Sequence, residues 1–201
     1  MVKQKIIFAS TSSRRKEIAT AMGLEFEMIP SGYEEDMSLD LPPEELVKTL
    51  SYGKAKDVAD KLSEGIVVGI DTIVCIDNKK LGKPKNKEEA FEMLRRLSGK
   101  FNYVYSGVCL INCKTGKIIK DFELTKVKFR KISDLEIEKY VATGEPMDKA
   151  GAYGIQGLAG IFVEKIDGCY FNVMGLPVHN LYKNLKKMGV DVFDYDGWKG
   201  K

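Results

Sequence analysis

The chain has 201 residues, 44% hydrophobic and 30% charged, the balance of a globular protein that buries about 70% of the surface its unfolded chain exposes. Its 32 Lys and Arg against 29 Asp and Glu leave a net charge of +3, spread along the sequence, which excludes a disordered charged chain and argues against a stable nucleic-acid complex. One histidine and four scattered cysteines leave almost no material for Ser-His-Asp, Cys-His or His-rich zinc chemistry, and the cysteines read as reduced, buried small hydrophobes.

In chain order, residues 5–9 read as a short apolar strand, too short for a signal peptide core, followed by a polar turn at 10–13 and a helix over 14–22 that Gly23 ends. Residues 25–30 alternate as a half-buried strand, and 31–41 form a loop. Pro42 and Pro43 open a helix in which Leu46, Val47, Leu50, Val58, Ala59 and Leu62 recur near a 3.6 period, with Glu44 and Glu45 in its first turn. Residues 66–76 read IVVGIDTIVCI, a buried strand with a carboxylate at its centre, and Asp77-Asn78 predicts a hairpin turn. Asn86 and Glu89 cap a helix running to Leu97. Strands are expected over 101–112 and 117–131, joined by a turn at 114–116. Ser133 and Glu136 form a capping box for a helix ending near Gly144. Residues 161–166 and 169–173 flank Asp167-Gly168 as an expected β-hairpin, Pro177 starts the last long helix, and 193–201 form an aromatic, charged tail that docks or frays.

Hairpins interleaved with strand–helix units predict a mixed α/β sheet rather than an all-parallel one. With no linker and no internal repeat, a single domain over 1–201 is expected. The uncharged stretches 150–163 and 168–182 are too short and too broken to cross a membrane, so no membrane partner and a cytoplasmic address are expected.

Four clusters carry chemistry. In Ser10-Thr11-Ser12-Ser13-Arg14-Arg15, hydroxyls and guanidiniums at a strand-to-helix turn suit a phosphate or carboxylate cradle, and equally an ordinary N-cap with solvated arginines. Asp71-Thr72 puts a carboxylate in an apolar run, where it needs a partner or a hard cation such as Mg²⁺ or Mn²⁺; alternatively Gly69 ends the strand and leaves Asp71 exposed. Lys54, Lys56 and Lys83 lie near turns, with Gly82 and Pro84 shaping the turn around Lys83. In residues 151–160 glycine recurs every third position, a loop that lets backbone approach a ligand, with Tyr153 and Gln156 placed to stack on or hydrogen-bond a base.

Together ASTSSRRKE (9–17), GIDTIV (69–74), LGKP (81–84), LSG (97–99), GEPMDKAGAYGIQG (144–157) and NVMGLP (172–177) resemble the Maf (septum formation inhibitor) family of nucleoside triphosphate pyrophosphatases, over nearly the whole chain. The late motif looks like the branch that hydrolyses dTTP and UTP. The resemblance implies a single Maf-like domain with an elongated, curved mixed sheet flanked by helices, two lobes around a cleft, similar to the inosine triphosphate pyrophosphatase architecture. It also implies catalysis by Asp71 as proton acceptor and substrate selection by Arg14, Thr72 and Gln156. Glu34 and Asp71 would hold a divalent metal, Mg²⁺ or Mn²⁺, Lys54 and Lys83 match the phosphate-facing lysines, and Ser10 and Ser12 count among the substrate-binding residues. A homodimer is expected on the same ground. Ser13 departs from the family, which usually has Pro before the Arg pair. The rival readings are a non-catalytic nucleotide-binding regulator of septum formation and a sanitiser of modified nucleotides.

Overall fold

Residues 3–195 are described by a computed structural model, and their apolar periodicities set its elements. β1 (Ile6–Ala9) runs parallel to both β2 (Phe26–Ile29) and β3 (Ile66–Ile76), with Ile6 opposite Phe26 on one side and Ile66 on the other. Parallel neighbours need crossover connections, and α1 (Ser13–Ala21) and α2 (Pro43–Ala59) supply them. β4 (Lys79–Leu81) returns antiparallel on β3 through Asp77 and Asn78, both left-handed with φ 48° and 58°, the hairpin turn that their residue types favour. After α3 (Lys87–Leu97) come β5 (Phe101–Asn112) and β6 (Ile118–Phe129), then α4 (Asp134–Ala142), β7 (Val163–Asp167), α5 (Tyr170–Val173) and α6 (Val178–Lys187). The sheet order is β2-β1-β3-β5-β6-β7, with β4 on β3, so the expected mixed sheet flanked by helices is what forms.

The described residues fall into two compact units, one from 3–71, 106–123 and 175–195, the other from 72–105 and 124–174. β3, β5 and β6 contribute residues to both. In the first unit Ile7, Ala9, Val67, Cys109 and Ile111 bury against Ala55, Val58 and Ala59 of α2. The helix backbone sits directly on the sheet at two glycines. A Cβ on Gly69 would lie 2.1 Å from the Ser51 carbonyl oxygen, and one on Gly107 2.0 Å from that of Val47. Gly69 therefore does not end the strand; it admits the helix. In the second unit α3 and α4 cover Val74, Ile76, Val104, Val127 and Phe129 with Ala90, Leu94, Leu97, Ile137 and Tyr140. Their N-termini are capped as the sequence predicts: Asn86 accepts from the Glu89 N–H at 2.8 Å, and Ser133 and Glu136 form a reciprocal box.

One expectation fails. Residues 169–173 do not pair with β7 but fold as α5, after Gly168 at φ 124°. A β6 side chain takes the Cys169 backbone groups that a strand partner would have used, and an α5 side chain reaches back to the β5 backbone. The Thr125 hydroxyl accepts from the Cys169 N–H at 3.1 Å and donates to its carbonyl at 3.2 Å, and the Asn172 amide donates to the Val104 carbonyl at 3.0 Å. Satisfied by these long-range bonds, this stretch needs no ladder.

None of the four cysteines is in a disulfide, and burial pushes the Cys109 thiol up to about 12. Among the described residues no helix is long and apolar enough to cross a membrane. Of the tail, Tyr195 docks by donating its hydroxyl to the Gln4 carbonyl at 2.6 Å, and residues 196–201 lie outside the described residues.

Candidate active site

Side chains alternate along a strand, so Asp71 shares with Gly69 the face of β3 that meets α2, and Thr72 takes the other. Asp71 is buried at the centre of the continuous strand. On α2, Lys54 lies beside Ser51 and Ala55, the pair against which Gly69 packs, and its ammonium reaches Asp71 Oδ1 at 2.5 Å. The two side chains are 5% and 12% exposed, so the pair is largely withdrawn from water. Asp71 Oδ2 is buried and has no hydrogen-bond partner among the described residues. An acceptor oxygen left unpaired inside a fold is costly, and it is the type of feature that a substrate, water or cation completes.

Lys54 also holds a second carboxylate, from the loop after β2: Glu35 Oε1 lies 2.6 Å from Nζ and is 46% exposed. The sequence reading chose Glu34, which is exposed one residue away. It is Glu35 whose carboxylate joins Lys54 and Asp71. A similar one-residue difference occurs in α1. Ser12 caps the helix, accepting from the Arg15 N–H at 3.4 Å, so the ordinary N-cap reading holds for it. Ser10 Oγ accepts from the Ser12 N–H at 3.2 Å and from Arg15 Nη1 at 3.1 Å, and Arg15 Nε donates to the Gly175 carbonyl at 2.9 Å. Burial lowers the Arg15 pKa and the attraction of Asp71 acts in the opposite direction; a guanidinium remains charged throughout. Arg15 thus brings the first-turn charge toward Asp71 and Glu35, while Arg14 is half-buried at the start of the same helix. Residue type alone could not separate adjacent arginines or adjacent glutamates. The helical step of about 100° per residue separates the two arginines in space, and the loop after β2 separates the two glutamates.

Thr72, Lys83 and Gln156 belong to the second unit. Lys83 and Gln156 are exposed and Thr72 is half-buried. The turn carrying Lys83 is tied to the glycine-rich loop, because the Gly82 carbonyl accepts from the Gly151 N–H at 3.0 Å. The loop itself is knitted rather than loose. Glu145 accepts from the Tyr140 hydroxyl and the Leu158 N–H, both at 3.1 Å, and its carbonyl accepts from Lys149 at 2.7 Å. Tyr153 does not face a base, as the sequence suggested. Its ring meets Phe129 edge-on at 4.8 Å and its hydroxyl donates to Asn102 Oδ1 at 3.0 Å, so it anchors the loop in the core and leaves Gln156 outside. Burial raises its phenol pKa. Lys56 pairs with Asp60 on the surface and His179 is exposed on α6, so neither joins the site.

A family model described as Maf-like protein matches residues 5–188. The chain belongs to the Maf family. Curated relatives from Clostridium botulinum (strain Okra / Type B1), Clostridium tetani and Alkaliphilus oremlandii, each named dTTP/UTP pyrophosphatase, are 50%, 50% and 51% identical to this Maf chain. The alignments cover 94%, 92% and 89% of the chain and 100%, 98% and 93% of the relatives. Among solved structures, the Staphylococcus aureus Ham1 protein aligns with a TM-score of 0.45 at 13% identity, covering 63% of this chain and 72% of that one.

The described residues of this Maf chain contain no group of three or more His, Cys, Asp or Glu able to hold a metal. Magnesium at phosphate sites rarely needs one, since one or two carboxylates plus substrate oxygens and water complete its shell. The unpartnered Asp71 Oδ2 and the neighbouring Glu35 are hard oxygen donors of that kind. The residues present therefore fit a divalent cation.

Proposed function

We propose that this chain is a nucleoside triphosphate pyrophosphatase that hydrolyses dTTP and UTP to the monophosphate and pyrophosphate. The buried, unpartnered Oδ2 of Asp71 carries the reading, and the names of relatives half identical over nearly their whole length support it. With Oδ1 fixed by Lys54, Oδ2 is the oxygen left to orient a water and take its proton. The water oxygen then bonds to the α-phosphorus, and the α–β bridging oxygen leaves with pyrophosphate. Arg14, Arg15, Lys54 and Lys83 would offset triphosphate charge, with Ser10 and Ser12 fixing the turn that presents the arginines. Gln156 and Thr72 would read the pyrimidine edge, since a site built to hydrogen-bond a base rejects one that leaves its groups unpaired. Asp71 and the Glu34–Glu35 pair would hold Mg²⁺ or Mn²⁺, whose charge would help offset that of the triphosphate.

The test is release of pyrophosphate and monophosphate from a nucleotide panel, with and without Mg²⁺ or Mn²⁺, by the wild type and Asp71→Asn. Metal-dependent release from dTTP and UTP is expected, with most turnover lost in the variant and nucleotide affinity kept. Near wild-type turnover by Asp71→Asn would remove the residue from the mechanism, and binding without turnover of any nucleotide would favour a regulator. A preference for modified over ordinary pyrimidines would mark a sanitiser.

A further inference from the structure

Glycine is the poorest ordinary helix former, yet Gly53 lies in the interior of α2, next to Lys54. A Cβ there would fall 2.3 Å from Cζ and 2.4 Å from Cε2 of Tyr33, so the tyrosine ring lies directly on bare helix backbone. One turn further, Asp57 Oδ2 accepts from the Gly32 N–H at 2.8 Å and from the Ser31 hydroxyl at 3.1 Å. The Ser31 hydroxyl in turn accepts from the Tyr33 N–H at 3.1 Å. Gly53 and Asp57 are four apart and share a helix face. The loop is therefore fixed to α2 at residues 31–33, immediately before the acidic pair. These ties hold the exposed stretch carrying Glu34, Glu35 and Asp36 in addition to the Lys54–Glu35 contact.

We propose that Tyr33, Gly53 and Asp57 are positioning residues that anchor the acidic loop on α2 and so keep Glu35 on Lys54 beside Asp71. None of the three does chemistry; they act through Glu35 and Lys54. The proposal rests on the pyrophosphatase reading above. A side chain at 53 displaces a ring and not backbone, so the helix survives while the loop is released.

The test compares wild type, Gly53→Ala, Asp57→Ala and Asp57→Asn by amide hydrogen exchange at residues 32–35, thermal melting, and pyrophosphate release from dTTP across a magnesium titration. In Gly53→Ala, exchange at 32–35 should quicken at least about tenfold with the melting temperature held. Its kcat/KM should fall about tenfold to 10²-fold, the scale of a misplaced catalytic group, and half-maximal activation should need more magnesium. Asp57→Ala should do the same. Asp57→Asn, whose amide oxygen can still accept the Gly32 N–H, should restore slow exchange and activity. Unchanged exchange in both Gly53→Ala and Asp57→Ala would overturn the anchor. Faster exchange with unchanged kcat/KM and magnesium requirement would overturn the positioning role. No pyrophosphate from the wild type would overturn the activity itself while the exchange data still decide the anchor, so the two failures are told apart.

Discussion

Replacing Lys54 by methionine isolates the buried ion pair at the centre of the site. Methionine keeps most of the apolar stem, so packing changes little and the charge is what is lost. Asp71 is then left with neither oxygen paired: Oδ1 loses its 2.5 Å ammonium, and Oδ2 has no partner to begin with. At 5% side-chain exposure, solvent screens the stranded carboxylate poorly. Removing one partner of a buried pair costs about 3–5 kcal/mol, a large part of the roughly 5–15 kcal/mol that holds a typical domain together. The Lys54–Glu35 contact adds little, because Glu35 is 46% exposed and exposed pairs are worth about 1 kcal/mol or less. Urea unfolding at pH 7 should therefore show a loss of about 3–5 kcal/mol in Lys54→Met and less than about 1 kcal/mol in Glu35→Gln. Adding Asp71→Asn to Lys54→Met should recover at least about 2 kcal/mol, since a neutral amide replaces the stranded charge. A Lys54→Met protein within about 0.5 kcal/mol of wild type, or losses that simply add in the double variant, would refute the reasoning.

Two further outcomes follow from the same structure. In Gly107→Ala the new Cβ would stand 2.0 Å from the Val47 carbonyl oxygen and 2.9 Å from the Lys48 nitrogen. Since helix backbone cannot yield as a side chain can, a loss of about 3 kcal/mol or more is expected by urea unfolding, against less than about 0.5 kcal/mol for Gly82→Ala, whose Cβ meets nothing within 4 Å. Glu136, held by Arg130 and by the Ser133 N–H and hydroxyl, has its pKa lowered to about 2. A depressed carboxylate stabilises above its unfolded value and loses that contribution as pH falls through the folded one. The gap in urea midpoint between wild type and Glu136→Gln should thus be constant above about pH 4.5 and close toward about pH 2; a gap that persists at pH 2 would contradict it.

The sequence by itself settled most of the local structure. Ser133 and Glu136, Asn86, and the Asp77-Asn78 pair act through groups within a few residues of themselves, so their caps and turn were legible without a fold. The apolar run around Asp71 likewise marked a carboxylate in a buried strand, and the motif resemblance marked the family. Tertiary structure decided what depends on partners distant in sequence. Cys169 to Val173 became a helix because Thr125 and Asn172 side chains satisfy its surroundings across 44 and 68 residues. Tyr153 turned inward because Asn102, 51 residues away, takes its hydroxyl. Glu35 meets Lys54 beside Asp71, and Arg15 bonds Ser10 and the Gly175 carbonyl, because loop anchoring and helix phase place each of two identical neighbouring side chains differently, a choice that composition leaves degenerate and geometry does not.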